Sequence, residues 1–214
     1  MNEAALRSQI VAVAQAIDKA GFCPSKSGNV SARFGDGLLI TPSGLPYAQT
    51  APDDLIHLSL EGVVVGGARK PSSEWPFHVE IYKARPDAQA IVHTHSPRAT
   101  ALSCTRRGIP AFHYMIALCG GVDVRCAPYA TFGTPELAAN AVRALEGRKA
   151  VLLANHGVIA LGGSLAGAHQ IVAEVENLAG QYLDILAAGL EPAILDDTEM
   201  ARVSAKFTGY GKVG

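Results

Sequence analysis

The chain has 214 residues, and 49% of them are hydrophobic, enough apolar material for one large packed domain spanning 1–214. Charged residues supply only 17%, against about a quarter in an ordinary soluble domain, and mean hydropathy is +0.19, so other subunits are expected to cover part of the outer surface. The net charge of −1 gives no basic field for a nucleic-acid backbone, and the apolar content excludes intrinsic disorder.

The opening, Met1 to Arg7, carries Glu3 and no apolar run, so it does not read as a secretory signal. Leu6, Ile10, Val13 and Ile17 repeat along one helical face that stops at Gly21. Val30–Phe34 and Leu38–Thr41 flank Gly35-Asp36-Gly37 and read as a hairpin, followed by a loop over Pro42–Pro46. Short strands are expected at Leu55–Leu58 and Val63–Val65, before a loop over Gly66–Pro71. Ser72 or Ser73 then caps a helix reaching about Arg85, with Glu74 in its first turn and Phe77 and Ile81 facing the core. Ala90–His95 reads as a strand, and Ser96-Pro97 opens the next helix. The turn-rich stretch Ile109–Phe132 receives no assignment. Thr134-Pro135-Glu136 combines an N-cap, a first-turn proline and an acidic residue, and starts a helix to about Leu145.

Ala150–Ala173 contains no Asp, Glu, Lys or Arg, yet its Asn155, His156, His169 and several glycines argue against a membrane span. It reads as a buried strand, a turn and the start of a helix. That helix runs from Ser164 to about Ala188 and is closed by Gly189; the tail holds a short helix near Glu199–Phe207 and a loose Tyr210-Gly211-Lys212 end. Cys23, Cys104, Cys119 and Cys126 form no CxxC pair and read as reduced, buried small residues of a cytoplasmic protein. Helices and strands mix without strict alternation, which places the chain in the layered α/β or α+β class.

The sharpest local signal is His93-Thr94-His95. In a strand, residues i and i+2 face the same side about 6.6 Å apart, and two such imidazoles can converge on one metal ion. Surface histidines or a stacked core pair explain the same spacing. His156, at the end of an apolar strand and before Gly157, offers a third imidazole; a hydrogen-bonded strand-end histidine is the alternative. Three histidines with an open fourth position form a catalytic zinc arrangement. His57, His78, His113 and His169 have no such partners and read as surface or packing residues. Glu74 is the best carboxylate, beside two serines at a helix start where backbone N–H groups can bind phosphate; a plain cap with a dipole-complementing glutamate explains it equally. Gly28-Asn29 and Ser43-Gly44 fit either ordinary turns or donors around an anion.

Taken together, Ser27-Gly28-Asn29-Val30-Ser31, Ile40-Thr41-Pro42-Ser43-Gly44, Lys70-Pro71-Ser72-Ser73-Glu74-Trp75, Val92-His93-Thr94-His95 and Asn155-His156-Gly157 resemble the class II aldolase/adducin family. His113–Ala117 and Cys126–Thr134 resemble its L-fuculose 1-phosphate-cleaving branch in particular. The resemblance implies a three-layer αβα fold around a mostly antiparallel central sheet, a homotetramer with active sites at subunit interfaces, and one Zn2+ per subunit. It implies His93, His95 and His156 as metal ligands, with Glu74 contacting the metal in the resting site and moving the proton during reaction. Gly28, Asn29, Ser43, Gly44, Ser72 and Ser73 match phosphate-binding positions, and Tyr114 matches a proton donor supplied by a neighbouring subunit. Ser43 stands for a usual threonine, Asn155 for a usual glutamine or histidine, and Cys23-Pro24-Ser25-Lys26 departs from the usual sequence.

The reaction implied is cleavage of a ketose 1-phosphate, L-fuculose 1-phosphate or similar, to dihydroxyacetone phosphate and a small aldehyde such as lactaldehyde. 5-Deoxyribulose or 5-methylthioribulose 1-phosphate is the alternative substrate. A pentulose-5-phosphate 4-epimerase and a non-enzymatic adducin-like module are the other readings; the histidine set argues against the second.

Overall fold

The computed structural model describes residues 2–209; Tyr210, Gly211 and Lys212 lie outside the described residues. The strands are β1 (Asn29–Phe34), β2 (Gly37–Ile40), β3 (Ile56–Ser59), β4 (Val64–Gly66), β5 (Ala90–Thr94), β6 (Arg125–Ala127), β7 (Ala150–Leu153) and β8 (Gly157–Gly162). The helices are α1 (Glu3–Lys19), α2 (Trp75–Ala84), α3 (Pro97–Ser103), α4 (Pro135–Ala144), α5 (Leu165–Ala187) and α6 (Asp197–Gly209). All eight strands join one sheet in the order β4-β3-β2-β1-β5-β8-β7-β6, antiparallel throughout except for the β6–β7 pair.

Strand alternation divides the core in two and makes three layers. Val30, Val92, Leu152 and Ala160 point to one face, where Ile10 and Ile17 of α1, Leu102 of α3 and Val172 and Leu178 of α5 pack on them. Ile91, Val151 and Ile159 point to the other, against Phe77 and Ile81 of α2 and Leu137 and Ala141 of α4. This is the layered, mostly antiparallel architecture that the resemblance implies.

The expected hairpin forms with Ser31 opposite Ile40 and Phe34 opposite Gly37. The stretch after Ala150 differs from expectation. Gly157–Gly162 is a strand, so the chain makes a second hairpin there before the long helix begins. All six residues of β8 are buried, and a strand covered on both faces has no alternation to betray it. Ile109–Phe132 resolves into a bridge between Ile109 and Val124, a 3-10 helix over Tyr114–Cys119, and β6.

The start of α2 also differs. Neither Ser72 nor Ser73 caps it; Glu74 occupies the N-cap with φ −99° and ψ 12°, and its side chain makes no cap bond. Uncommitted to the helix end, the carboxylate turns inward, while the backbone N–H meets Ser72 Oγ at 3.4 Å. By contrast, Thr134 and Ser164 cap α4 and α5 as expected, accepting from Leu137 N–H and Gly167 N–H. The four cysteines are free, but only Cys23 and Cys119 are buried; Cys104 is exposed and Cys126 half-buried. No helix among the described residues is long and apolar enough to cross a membrane.

Candidate metal centre and active site

β5 sits at the middle of the sheet, between β1 and β8. His93 lies directly opposite Asn29 on β1 and Ile159 on β8, so its side chain points to the α2 face. His95 follows one residue past the end of β5, where its backbone N–H bonds Phe22 C=O at 3.0 Å. The two ring Nε2 atoms approach to 3.1 Å. His156 enters from the three-residue turn between β7 and β8, its ring centre 4.9 Å from that of His93 and 4.7 Å from that of His95.

Two glycines make this convergence sterically possible. A Cβ on Gly157 would stand 2.4 Å from the Thr94 carbonyl oxygen, so close approach of β8 to β5, rather than a turn, requires glycine there. The turn itself is made by Asn155, at φ 56°. Gly28, at φ 83°, carries β1 past the His93 carbonyl, where a Cβ would be 2.7 Å away.

Glu74 closes the group from the N-terminus of α2. Its Oε2 lies 3.2 Å from His93 Nε2, and its Oε1 lies 3.0 Å from His156 Nε2. One potential ligand atom from each of Glu74, His93, His95 and His156 falls within 4.8 Å of the others. His93 Nδ1 sits 2.9 Å from the Val158 carbonyl, which can only accept; Nδ1 therefore donates there, and Nε2 is the ring atom turned to the cluster and available to a metal. Glu74 Oε1 is buried and finds no partner in hydrogen-bond geometry despite its short distance to His156. Convergent imidazole lone pairs beside an unsatisfied buried carboxylate oxygen fit a divalent cation and serve no purely apolar core. Burial opposes ionisation of Glu74, but His93 and His156 in their protonated form outweigh it and hold the carboxyl well below the usual carboxylate range, and a cation bound in place of those protons would act in the same direction. Burial, then His93 and His156, push His95 down to about 3, which keeps the ring neutral as a ligand must be.

The cluster opens into a cavity of about 320 Å³. Gly28, Asn29, Ser43, Gly44, Ser72 and Ser73 all line it beside Glu74, His95 and His156. Lys26 and Ser27 line it too, and sequence reasoning did not select them. Ser27 Oγ is buried without a partner, and Lys26 brings a cation; their place immediately before Gly28-Asn29 is the signal that could have found them. Tyr129 and Phe132, 53% and 64% exposed, form an apolar wall. Tyr114 is not brought to the cavity within this chain. It is half-exposed on the 3-10 helix, stacked on His113 with ring centres 4.8 Å apart. Of the histidines assigned to surface or packing, His78 is fully buried and bonded to Ser31 and Asn29, so it is more than a packing residue.

Residues 8–183 match the family model described as the class II aldolase and adducin N-terminal domain. A 5-methylthioribulose-1-phosphate/5-deoxyribulose-1-phosphate aldolase of Rhodospirillum rubrum is 51% identical over 97% of this chain and 93% of its own length. An L-fuculose phosphate aldolase of Escherichia coli strain K12 is 44% identical over 99% of this chain and 98% of its own. A solved L-fuculose 1-phosphate aldolase superposes with a TM-score of 0.91 at 41% identity, covering 95% of this chain and 96% of that one. The chain belongs to the class II aldolase and adducin family, and within it to the class II aldolases.

Proposed function

We propose that the protein cleaves a ketose 1-phosphate to dihydroxyacetone phosphate and a small aldehyde, using one Zn2+ held by His93, His95 and His156. The observation that carries this reading is the shared cavity: Glu74, His95 and His156 of the cluster, with His93 buried directly behind them, and a cradle of serine hydroxyls, glycine backbone and Lys26 face the same space. Such a cradle suits a phosphate, and Gly28, Asn29, Ser43, Gly44, Ser72 and Ser73 are its proposed contacts. When bound, a divalent cation supplies Lewis-acid stabilisation of negative charge developing on the ketone oxygen. Glu74 would join the histidines in holding the metal in the resting site, and it is the proposed acceptor of the C4 hydroxyl proton. The C3–C4 bond then breaks, its electron pair passes into the three-carbon fragment, and the aldehyde leaves. A proton returned to C3 completes dihydroxyacetone phosphate, and Tyr114 of a neighbouring subunit is the proposed donor.

Among ketose 1-phosphates, 5-deoxyribulose and 5-methylthioribulose 1-phosphate rank first. The relative bearing those substrates in its name is 51% identical, and the Tyr129–Phe132 wall suits an apolar terminal carbon or thioether. L-Fuculose 1-phosphate, cleaved to lactaldehyde, is the second reading, supported by relatives named for that sugar at 44% identity. We place the enzyme in the cytoplasm as a homotetramer of one such domain per chain. Incubation of pure protein with a panel of ketose 1-phosphates and pentulose 5-phosphates tests the reading, with dihydroxyacetone phosphate detected by coupled reduction. Epimerisation of a 5-phosphate without any cleavage would refute it.

A further inference from the structure

We propose that His78 is a positioning residue, which through a buried hydrogen-bond chain fixes the face that the Asn29 amide presents to Glu74 and Ser72. The chain runs between two aligned rows of side chains. Asn29 and Ser31 alternate on one face of β1, while Glu74, His78 and Tyr82 recur every four residues along α2. Asn29, Ser31, His78 and Tyr82 are each no more than 1% exposed, and of the four only Asn29 borders the cavity.

Every donor in this chain is determined by the next. Two oxygens face one end of the Asn29 amide: Glu74 Oε2 at 2.9 Å and Ser72 Oγ at 3.0 Å. Ser72 Oγ also faces the Glu74 backbone N–H. That end of the amide is therefore the NH2, and Oδ1 turns to His78 Nε2 at 2.5 Å. Nε2 must carry the ring proton. Nδ1 is then bare and accepts from the Ser31 hydroxyl at 2.7 Å, and Ser31 Oγ accepts from Tyr82 Oη at 2.9 Å. With the proton on Nδ1 instead, nothing would hold Oδ1, and a flipped amide would set its oxygen against the carboxylate.

The ring packs on Phe77, with centres 4.6 Å apart, and an apolar side chain would fill that space without burying two polar nitrogens. Burial pushes His78 down to about 3, so the ring stays neutral with one donor and one acceptor. Ser72 Oγ, occupied as an acceptor, is left with its proton to point into the cavity, so the same amide orientation serves the anion cradle.

The inference rests on the aldolase reading for its kinetic test only. Long-range 1H–15N correlation spectra of the wild-type protein, with the His78 signal assigned by its loss in His78→Phe or His78→Gln, should show a neutral ring protonated on Nε2. A ring protonated on Nδ1 would overturn the proposal. With the preferred ketose 1-phosphate, His78→Phe should lower kcat per folded molecule by about 10–100-fold. His78→Gln, whose amide N–H falls near the place of Nε2–H, should regain most of that turnover even if it melts lower than His78→Phe. Turnover that merely follows melting temperature would mark His78 as a packing residue. Should His78→Phe fail to fold, His78→Gln against the shorter His78→Asn makes the same comparison. Wild-type protein that cleaves no ketose 1-phosphate would sink the catalytic reading and leave the tautomer result to judge the hydrogen-bond chain.

Discussion

Glu74 shows how much a single side chain changes meaning with its surroundings. As a capping residue its replacement would cost a fraction of a kcal/mol and little rate. On the proposed role, Glu74→Gln keeps the volume but cannot take a proton, so kcat should fall by about 10²–10⁴-fold with the melting curve nearly unmoved. A fully active variant with a lowered melting point would restore the capping view. His95→Ala should abolish bound metal and turnover together, checked by elemental analysis beside the aldolase assay. Much of this was readable beforehand: the i, i+2 histidines declare a shared face once the segment is a strand, and His156 precedes a glycine. His78 was not readable, because its partners Ser31 and Asn29 lie on β1 and only the sheet brings them under α2. The inward turn of Glu74 was legible only through the family resemblance, since a serine pair before a helix satisfies every local capping rule.

At the scale of elements, the contact between β5 and β8 leaves no room for a side chain at Gly157. Gly157→Ala must push its methyl into the Thr94 carbonyl, and overpacking of this kind costs about 1–3 kcal/mol. The melting temperature should drop by about 2–4 °C per kcal/mol in a chain of this size. Because the same shift displaces His95, whose Cδ2 would be 3.2 Å from that methyl, metal affinity should fall with stability. Metal affinity unchanged in a destabilised Gly157→Ala protein would show that β5 and the β7–β8 hairpin hold their ligands independently. The β1–β2 hairpin was legible from its Gly-Asp-Gly turn and flanking β-formers. β8 was not, because Gly157–Gly162 is apolar on both faces and presents neither helical nor strand periodicity. The short β6 is fixed by parallel pairing with β7, a long-range partner that no local pattern announces.

For the whole molecule, the scarcity of charge and the exposure of Val63, Val64, Val65, Phe132 and Ile194 both agree with surface covered by sister subunits. Tyr114 stands outside its own chain's cavity, so on the proposed assembly each site takes its tyrosine from a neighbour. Tyr114→Phe and His95→Ala proteins, each impaired alone, should regain activity when refolded together, in proportion to mixed interfaces. A monomer by light scattering, or mixtures no better than the parents, would place the proton donor within one chain. Stripping the metal with a chelator should lower stability by about 2.7 kcal/mol relative to protein at a hundredfold excess over Kd, or about 5–11 °C in melting temperature. Restoring zinc should reverse the shift.

The central position of β5 has a kinetic consequence. Its neighbours in the sheet, β1 and β8, are reached only across long stretches of intervening chain, and the four candidate ligands arrive from α2, β5 and the β7–β8 turn. Local hairpins can close early, but closing these distant partners carries the larger loop entropy and slows the approach to the native state. The metal group is therefore complete only when the last long-range pairing forms. In stopped-flow refolding, capture of a chromogenic cation such as Co2+ should lag behind the gain of far-ultraviolet ellipticity and coincide with the slowest tertiary phase. Cation uptake in the earliest phase would mean that the histidines gather before the sheet does.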